Sequence, residues 1–77
     1  MTISAAQVRG ARAMLGMTQA ELAEAAGVKR LAIVRFESEV TAPHEATLAK
    51  VEAALDGRGI VFIETEAGVG VILTSDK

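Results

Sequence analysis

The chain has 77 residues, of which 51% are hydrophobic, and it has no cysteine and a formal net charge of −2. That length allows one domain, and the lack of cysteine excludes disulfide bonds and thiolate metal sites. Because His44 is the single histidine, neither a zinc site of the usual nitrogen and sulfur ligands nor a cofactor is expected. Phe36 and Phe62 are the only aromatic residues, so single-stranded nucleic acid has no stacking platform.

Charge is divided unevenly along the chain. Residues 1–36 carry five basic and two acidic side chains, for a local charge of +3, whereas residues 37–77 carry three basic and eight acidic ones, for −5. This asymmetry favours a protein with one DNA-facing side, although chance alone can produce it in a short chain. No segment reaches the roughly 18 apolar residues that span a bilayer, and the first residues lack a secretory signal pattern. We therefore expect a cytoplasmic protein without a membrane partner.

The first third of the chain predicts two short helices. Residues 4–7 have the capping-box pattern, a hydroxyl followed three residues later by glutamine. They predict a first helix that runs to about Leu15 and ends at Gly16. Residues 18–21 repeat the pattern with threonine and glutamate, and they predict a second helix that Gly27 ends after about two turns.

The middle of the chain predicts two further helices. The third covers roughly residues 29–37, and its predicted buried set is Val28, Ile33 and Phe36. The fourth is opened by residues 41–43, because proline suits a first turn, and it is broken at residues 56–59. Its apolar stripe at helical spacing consists of Leu48, Val51, Ala54 and Leu55.

After residue 59 the hydrophobic pattern changes to that of strands. Residues 60–63 and 69–73 are rich in β-branched side chains, and residues 65–68 between them predict a hairpin connection. A lone hairpin is marginal in water, and two apolar strands need cover on both faces, so we expect a homodimer. The expected dimerisation surface consists of Ile60, Val61, Phe62, Ile63, Val69, Val71, Ile72 and Leu73. Deleting residues 59–77 is then expected to leave a helical monomer.

Two short helices joined by a tight turn at Gly27 are the unit of helix-turn-helix proteins. With that unit, residues 4–55 resemble the Cro/CI-type, or XRE-type, helix-turn-helix family of bacterial and phage transcription regulators. The resemblance rests on residues 18–23, 26–28 and 33–37, and on Pro43 followed by Thr47 and Leu48. It implies a mainly α fold, with a four- to five-helix DNA-binding domain over residues 1–57. The C-terminal β-hairpin, over residues 58–77, lies outside the resemblance and rests on the strand pattern.

The resemblance also implies that the protein binds double-stranded DNA and regulates transcription. An enzyme is not expected, because the sequence has no cysteine, no tyrosine, one histidine and no phosphate-binding glycine loop. Thr18 and Gln19, at the start of the second helix, would contact the DNA backbone. The residues of the third helix that would face the major groove are Lys29, Arg30, Leu31, Val34 and Arg35. Arginine can bond guanine through two hydrogen bonds, leucine can contact a thymine methyl, and lysine favours phosphate. Glu37 matches a family position that supports helix packing. A homodimer would read a near-palindromic operator within the nucleoid.

The sequence departs from the family pattern at three places. Lys29 stands where the third helix usually has a small hydroxyl N-cap, and Glu39 stands where glycine is common. Leu31 and Val34 put two aliphatic side chains on the exposed side of the third helix, which is also typical of a protein interface. An alternative is therefore a protein-binding antiactivator or adaptor that reuses the scaffold, with a regulatory protein as its partner. The antitoxin half of a toxin–antitoxin pair, which would also bind DNA, stays open as well.

Overall fold

A computed structural model describes residues 2–40 and 44–75. Its elements in chain order are α1 (Ala5–Leu15), α2 (Gln19–Ala26), α3 (Arg30–Glu37), α4 (Glu45–Asp56), β1 (Ile60–Thr65) and β2 (Gly68–Leu73). Across these residues the fold is mainly helical, with four helices followed by one two-stranded antiparallel hairpin, as predicted. No helix in these two ranges combines the length and the apolar composition needed to cross a membrane.

Both predicted capping boxes are present, and each fixes the start of a helix. The Ser4 hydroxyl accepts a hydrogen bond from the Gln7 backbone N–H at 3.2 Å, and the Gln7 side chain accepts one from the Ser4 N–H at 2.9 Å. Thr18 makes the same exchange with Glu21 at the start of α2. α1 ends as predicted at Gly16, whose φ of 64° is the left-handed conformation that glycine adopts without strain.

The third and fourth helices begin without a side-chain cap. Lys29 precedes α3 and makes no capping hydrogen bond, as its residue type predicts, and His44 precedes α4 in the same way. The prediction that residues 41–43 open the fourth helix lies outside the described residues. α4 ends at Asp56, so the predicted break at residues 56–59 is confirmed.

The core is aliphatic, and all four helices and the first strand contribute to it. Its buried members are Ile3, Val8, Ala11, Leu22, Ala23, Ile33, Val51, Leu55 and Ile60. The partly buried side chains around them include Val28, Phe36, Leu48 and Ala54. Of the residues predicted to be buried in α3 and α4, Ile33, Val51 and Leu55 are fully buried, and the others are partly buried. Each fully buried Leu, Ile or Val side chain contributes about 1.5–3 kcal/mol, so this core is the main driving force of folding.

The hairpin packs against the helices of its own chain, with β2 on α1 and β1 on α4. Val71 lies so close to Gly10 that a Cβ added to the glycine would come within 3.4 Å of the valine Cγ2. The Gln7 side-chain amide donates to the main-chain carbonyls of Ile63 at 3.1 Å and Gly70 at 3.0 Å. One face of the hairpin is therefore covered within the protomer.

This packing corrects part of the dimerisation surface that the sequence predicts. Ile60 is fully buried in the protomer's own core, and Phe62 and Val71 pack against that core, because alternate residues of a strand point to the same face. On the opposite face, Val61 and Ile72 lie across from each other in the strand register, and each is about half exposed. Fewer hairpin residues are therefore open to a second copy than the sequence predicts.

α1 lies between the hairpin and α3. Gln7 and Gly10 contact the hairpin, whereas Arg9 and Arg12 reach the end of α3. Residues two apart on a helix point about 200° apart, so these two sets occupy opposite sides of α1. A single helix therefore holds the hairpin on one side and α3 on the other.

Candidate nucleic-acid interface

A tight turn joins α2 to α3. The Gly27 N–H donates to the Glu24 carbonyl at 3.2 Å, and the Val28 N–H donates to the Ala23 carbonyl at 3.0 Å. Gly27 has a φ of 70°, so the chain reverses there without strain, and α3 begins at Arg30. The predicted helix, turn and helix are therefore confirmed.

α3 presents a mixed cationic and apolar surface to solvent. Lys29, Arg30, Leu31 and Arg35 are exposed, and Val34 is partly buried. Arg30 and Val34 are four residues apart, as are Leu31 and Arg35, so these side chains form two neighbouring rows on the helix. The α3 residues predicted to face a groove thus share one surface.

A buried salt bridge holds α3 against α1. Arg12 Nε and Nη2 donate to the two carboxylate oxygens of Glu37, each at 2.6 Å. The Glu37 side chain is 3% exposed and that of Arg12 is 20% exposed, so the carboxylate is removed from water and the guanidinium is partly so. The hydrogen bonds that Arg12 donates to Glu37 raise the pKa of Arg12 above its ordinary value. Because the two-point pairing satisfies both groups, it fixes the orientation of α3 relative to α1.

The same carboxylate also reaches the start of α2. Gln19 Nε2 donates to Glu37 Oε1 at 3.1 Å, and Arg12 Nη1 donates to the Met17 carbonyl at 2.9 Å. A carboxylate only accepts hydrogen bonds, so the amide of Gln19 must direct its nitrogen toward Glu37. One polar network therefore sets the positions of α1, α2 and α3.

An open cleft of about 710 Å³ lies where these three helices meet. Its walls are formed by Arg12, Met17, Thr18, Gln19, Ala20 and Arg30. The cleft brings Thr18 and Gln19, the two residues predicted to act at the start of α2, onto one concave surface with Arg30. The other predicted residues of α3 lie outside the cleft. Within residues 2–40 and 44–75, no group of three carboxylate or imidazole side chains is arranged to hold a metal ion.

Sequence reasoning did not find the structural role of Arg12. Its charge was counted with the basic first half, but its pairing with Glu37 leaves it little influence on the exposed surface. The two residues are 25 positions apart, so no local pattern links them. The available signal was Glu37 itself, because a carboxylate placed among packed helices needs a cation beside it.

A carboxylate lies just beyond the end of α3. Glu39 follows the helix by two residues and has a φ of 60°. Arg9 lies beside it, with 3.9 Å between Arg9 Nη1 and Glu39 Oε2, and the same guanidinium donates to the Glu37 carbonyl. The surface along α3 thus carries cationic side chains at Lys29, Arg30 and Arg35, with the Glu39 carboxylate beyond its far end.

A short helix, a glycine turn and a second helix exposed on one side define the helix-turn-helix class of proteins. A helix-turn-helix family model matches residues 8–61, more than two thirds of the chain. The chain therefore belongs to the helix-turn-helix family, and the match supports the resemblance to its Cro/CI-type, or XRE-type, members. A comparison with curated proteins finds no match. The family is one of DNA-binding regulators, and the chain is accordingly a DNA-binding helix-turn-helix regulator.

Proposed function

We propose that the chain is a sequence-specific transcription regulator that reads double-stranded DNA with α3 in the major groove. The observation that carries the proposal is the exposed cationic and apolar surface of α3, which the Arg12–Glu37 pair holds from behind. An α-helix with its side chains is about 10–12 Å across, which suits a major groove about 12 Å wide. The protein would act at the nucleoid, and binding of this kind needs no cofactor.

The side chains along α3 would contact the bases. Arg30 and Arg35 can each donate two hydrogen bonds to one guanine, and Leu31 can contact a thymine methyl. Val34 is partly buried, so it can add an apolar contact only where the helix lies deep in the groove.

Residues at the starts of α2 and α3 would contact the DNA backbone. Lys29 is exposed at the start of α3 and suits phosphate as a point charge. Thr18 and Gln19 lie at the N-terminus of α2, where main-chain N–H groups favour a phosphate oxygen. The cleft shared by these two residues and Arg30 supports contacts with backbone and base from one docked position.

We further infer that two copies bind one operator. Four of the hairpin residues predicted for dimerisation stay exposed in the protomer: Val61, Val69, Ile72 and Leu73. Of these, Val61 and Ile72 share the outer face of the hairpin, and a second copy over that face would remove apolar area from water, which stabilises by about 25 cal/mol per Å². The protomer measures 29 × 27 × 19 Å, so two copies side by side can place their α3 helices near the ~34 Å repeat of DNA. A two-fold dimer would then select a near-palindromic operator.

Base reading is tested by Arg30→Ala and Arg35→Ala. The binding site is first selected from a random-sequence duplex library, and affinity is then measured by fluorescence anisotropy. Each substitution should weaken binding by about 1–3 kcal/mol and relax the preference for guanine at one position. Arg58→Ala is the matched control, because Arg58 is exposed near the start of the hairpin and its loss changes the net charge equally. Unchanged affinity and sequence preference in both α3 variants would contradict base reading by α3.

A protein-binding antiactivator or adaptor is the second candidate function, and the exposure of Leu31 favours it. This side chain is 56% exposed on the same surface as Arg35. In a DNA reader, Leu31→Ser should change the selected sequence at one thymine. In an adaptor, the wild-type protein should select no sequence, and a regulatory protein should bind this surface instead. An antitoxin would select DNA like the leading candidate and would differ by having a toxin as partner.

The dimer is tested by sedimentation velocity at tens of micromolar. The double substitution Val61→Lys with Ile72→Lys charges the exposed face, so it should give a folded monomer with weaker operator binding, because the two half-sites are no longer linked. Ala49→Lys with Ala53→Lys is the control, because both alanines are exposed on α4, outside the hairpin and α3, and the pair adds the same charge. Deletion of residues 59–77 is the poorer test, since it would also remove Ile60 from the core. A wild-type protein that sediments as a monomer would overturn the dimer.

A further inference from the structure

Glu39 occupies a backbone conformation that does not suit it. Among residues 2–40 and 44–75 it is the one non-glycine residue with positive φ, at 60°. A side chain with a Cβ is strained in this left-handed region, whereas glycine adopts it almost without strain. An observed outlier of this kind is a reason to look for a role outside local stability.

The electrostatics of the turn do not explain Glu39 either. The carboxylate follows the C-terminal end of α3, where the helix dipole disfavours negative charge. Its ion pair with Arg9 spans 3.9 Å, and the two side chains are 72% and 45% exposed. Exposed pairs of this kind contribute little, so Arg9 neither fixes the carboxylate firmly nor cancels its field. The residue is thus unfavourable for the turn in both conformation and charge.

The turn nonetheless holds Glu39 close to the DNA-facing surface. The Glu39 N–H donates to the Phe36 carbonyl at 3.0 Å, and the Val40 N–H donates to the Arg35 carbonyl at 3.1 Å. These bonds fold the chain back onto the last turn of α3, beside the exposed Arg35. A charge there acts over roughly 8 Å at physiological ionic strength, and a helix that lies in a major groove has phosphates on both sides at about that distance.

We propose that Glu39 sets the affinity of the protein for DNA by repelling the phosphate backbone at the end of α3. The inference rests on the proposed function. The repulsion does not depend on base sequence, so it weakens binding to every duplex and leaves the preference among sequences unchanged. The contacts along α3 and the linkage of two half-sites must then supply enough affinity for stable binding.

The test uses the full chain and a labelled duplex of random sequence, so it does not require a known operator. Glu39→Gln removes the charge and keeps the side-chain length. We expect it to raise affinity for the duplex about threefold to tenfold and to steepen the dependence on salt. Glu66→Gln is the matched control, because Glu66 is exposed in the turn of the hairpin, on the other side of α1 from α3, and it changes the net charge equally.

Glu39→Gly separates charge from strain. It should raise affinity as much as Glu39→Gln does, and it alone should raise the thermal unfolding midpoint, because only glycine relieves the left-handed conformation. The proposal is overturned if Glu39→Gln binds like the wild type, or if Glu66→Gln gains as much. If neither the wild type nor any variant binds duplex DNA, the proposed function fails and this inference fails with it.

Discussion

The two sides of α1 are held by different chemistry. Toward α3, Arg12 forms a charged pair with the buried Glu37, whereas toward the hairpin Gln7 donates neutral hydrogen bonds and Gly10 admits Val71 closely. A buried charged pair is costly to break, because the remaining charge stays out of water. A neutral amide that bonds main-chain oxygens loses mainly the bonds themselves. We therefore expect the contact between α1 and α3 to be more sensitive to single substitutions than the contact between α1 and the hairpin.

Arg12→Ala should have the largest effect. It leaves the Glu37 carboxylate buried without a cation, so we expect the free energy of unfolding to fall by about 3–5 kcal/mol, as measured by urea denaturation. Arg9→Ala is the comparison on the same helix. It removes an exposed pair with Glu39 and a hydrogen bond to the Glu37 carbonyl but leaves no charge buried, so the loss should be smaller, about 1–2 kcal/mol.

The double substitution Arg12→Met with Glu37→Leu removes both charges of the pair. It should recover most of the stability that Arg12→Ala loses, because no charge is left buried. Equal losses for Arg12→Ala and Arg9→Ala would show that the buried pair is not what holds α3 in place.

Gln7→Ala should have the next largest effect. The substitution removes two hydrogen bonds to the hairpin and half of the capping box, and we expect a loss of about 2 kcal/mol. Ser4→Ala removes the other half of the box and keeps the bonds to the hairpin, so it should cost only about 1 kcal/mol. Hydrogen exchange distinguishes the two variants, since only Gln7→Ala should speed exchange of the hairpin amides. Equal exchange in both would mean that Gln7 serves only its own helix.

The smallest effect concerns Glu21, at the start of α2. The hydrogen bond from the Thr18 backbone N–H lowers the pKa of this carboxyl below its ordinary value. A lowered pKa in the folded state stabilises above the unfolded pKa, and the contribution is lost as pH falls through the folded one. The thermal unfolding midpoint of Glu21→Gln should therefore lie slightly below that of the wild type at neutral pH. In acidic buffer the two midpoints should become equal. A gap that stays constant with pH would contradict this role.

The helices were predictable because their signals are local. The capping boxes at residues 4–7 and 18–21 lie next to the helices that they start, and Gly27 lies next to the one that it ends. The polar contacts of α1 were not predictable, because their partners are distant in the chain. Gln7 bonds carbonyl oxygens 56 and 63 residues away, and every residue supplies such an oxygen.

The hairpin and the candidate site show two further limits of the sequence. Both faces of the hairpin are apolar, so alternation could not indicate that Ile60 is buried while Val61 and Ile72 are exposed. The residues of α3 were assigned to DNA contact from the family resemblance. Arg30 and Arg35 are exposed, as that assignment requires. Which bases these side chains contact depends on a partner molecule, and that information does not lie in the fold.

The position of α1 between the two surfaces also has a consequence for operator architecture. α1 is one uninterrupted helix of 11 residues, about 16 Å long, and it packs directly on both the hairpin and α3. In the proposed dimer, no flexible linker would then separate the dimer contact from the reading helix. One base pair inserted between the half-sites shifts the second site by about 3.4 Å and turns it by about 35°. A rigid connection cannot follow that rotation, so the dimer should tolerate a changed base inside a half-site better than a changed distance between half-sites.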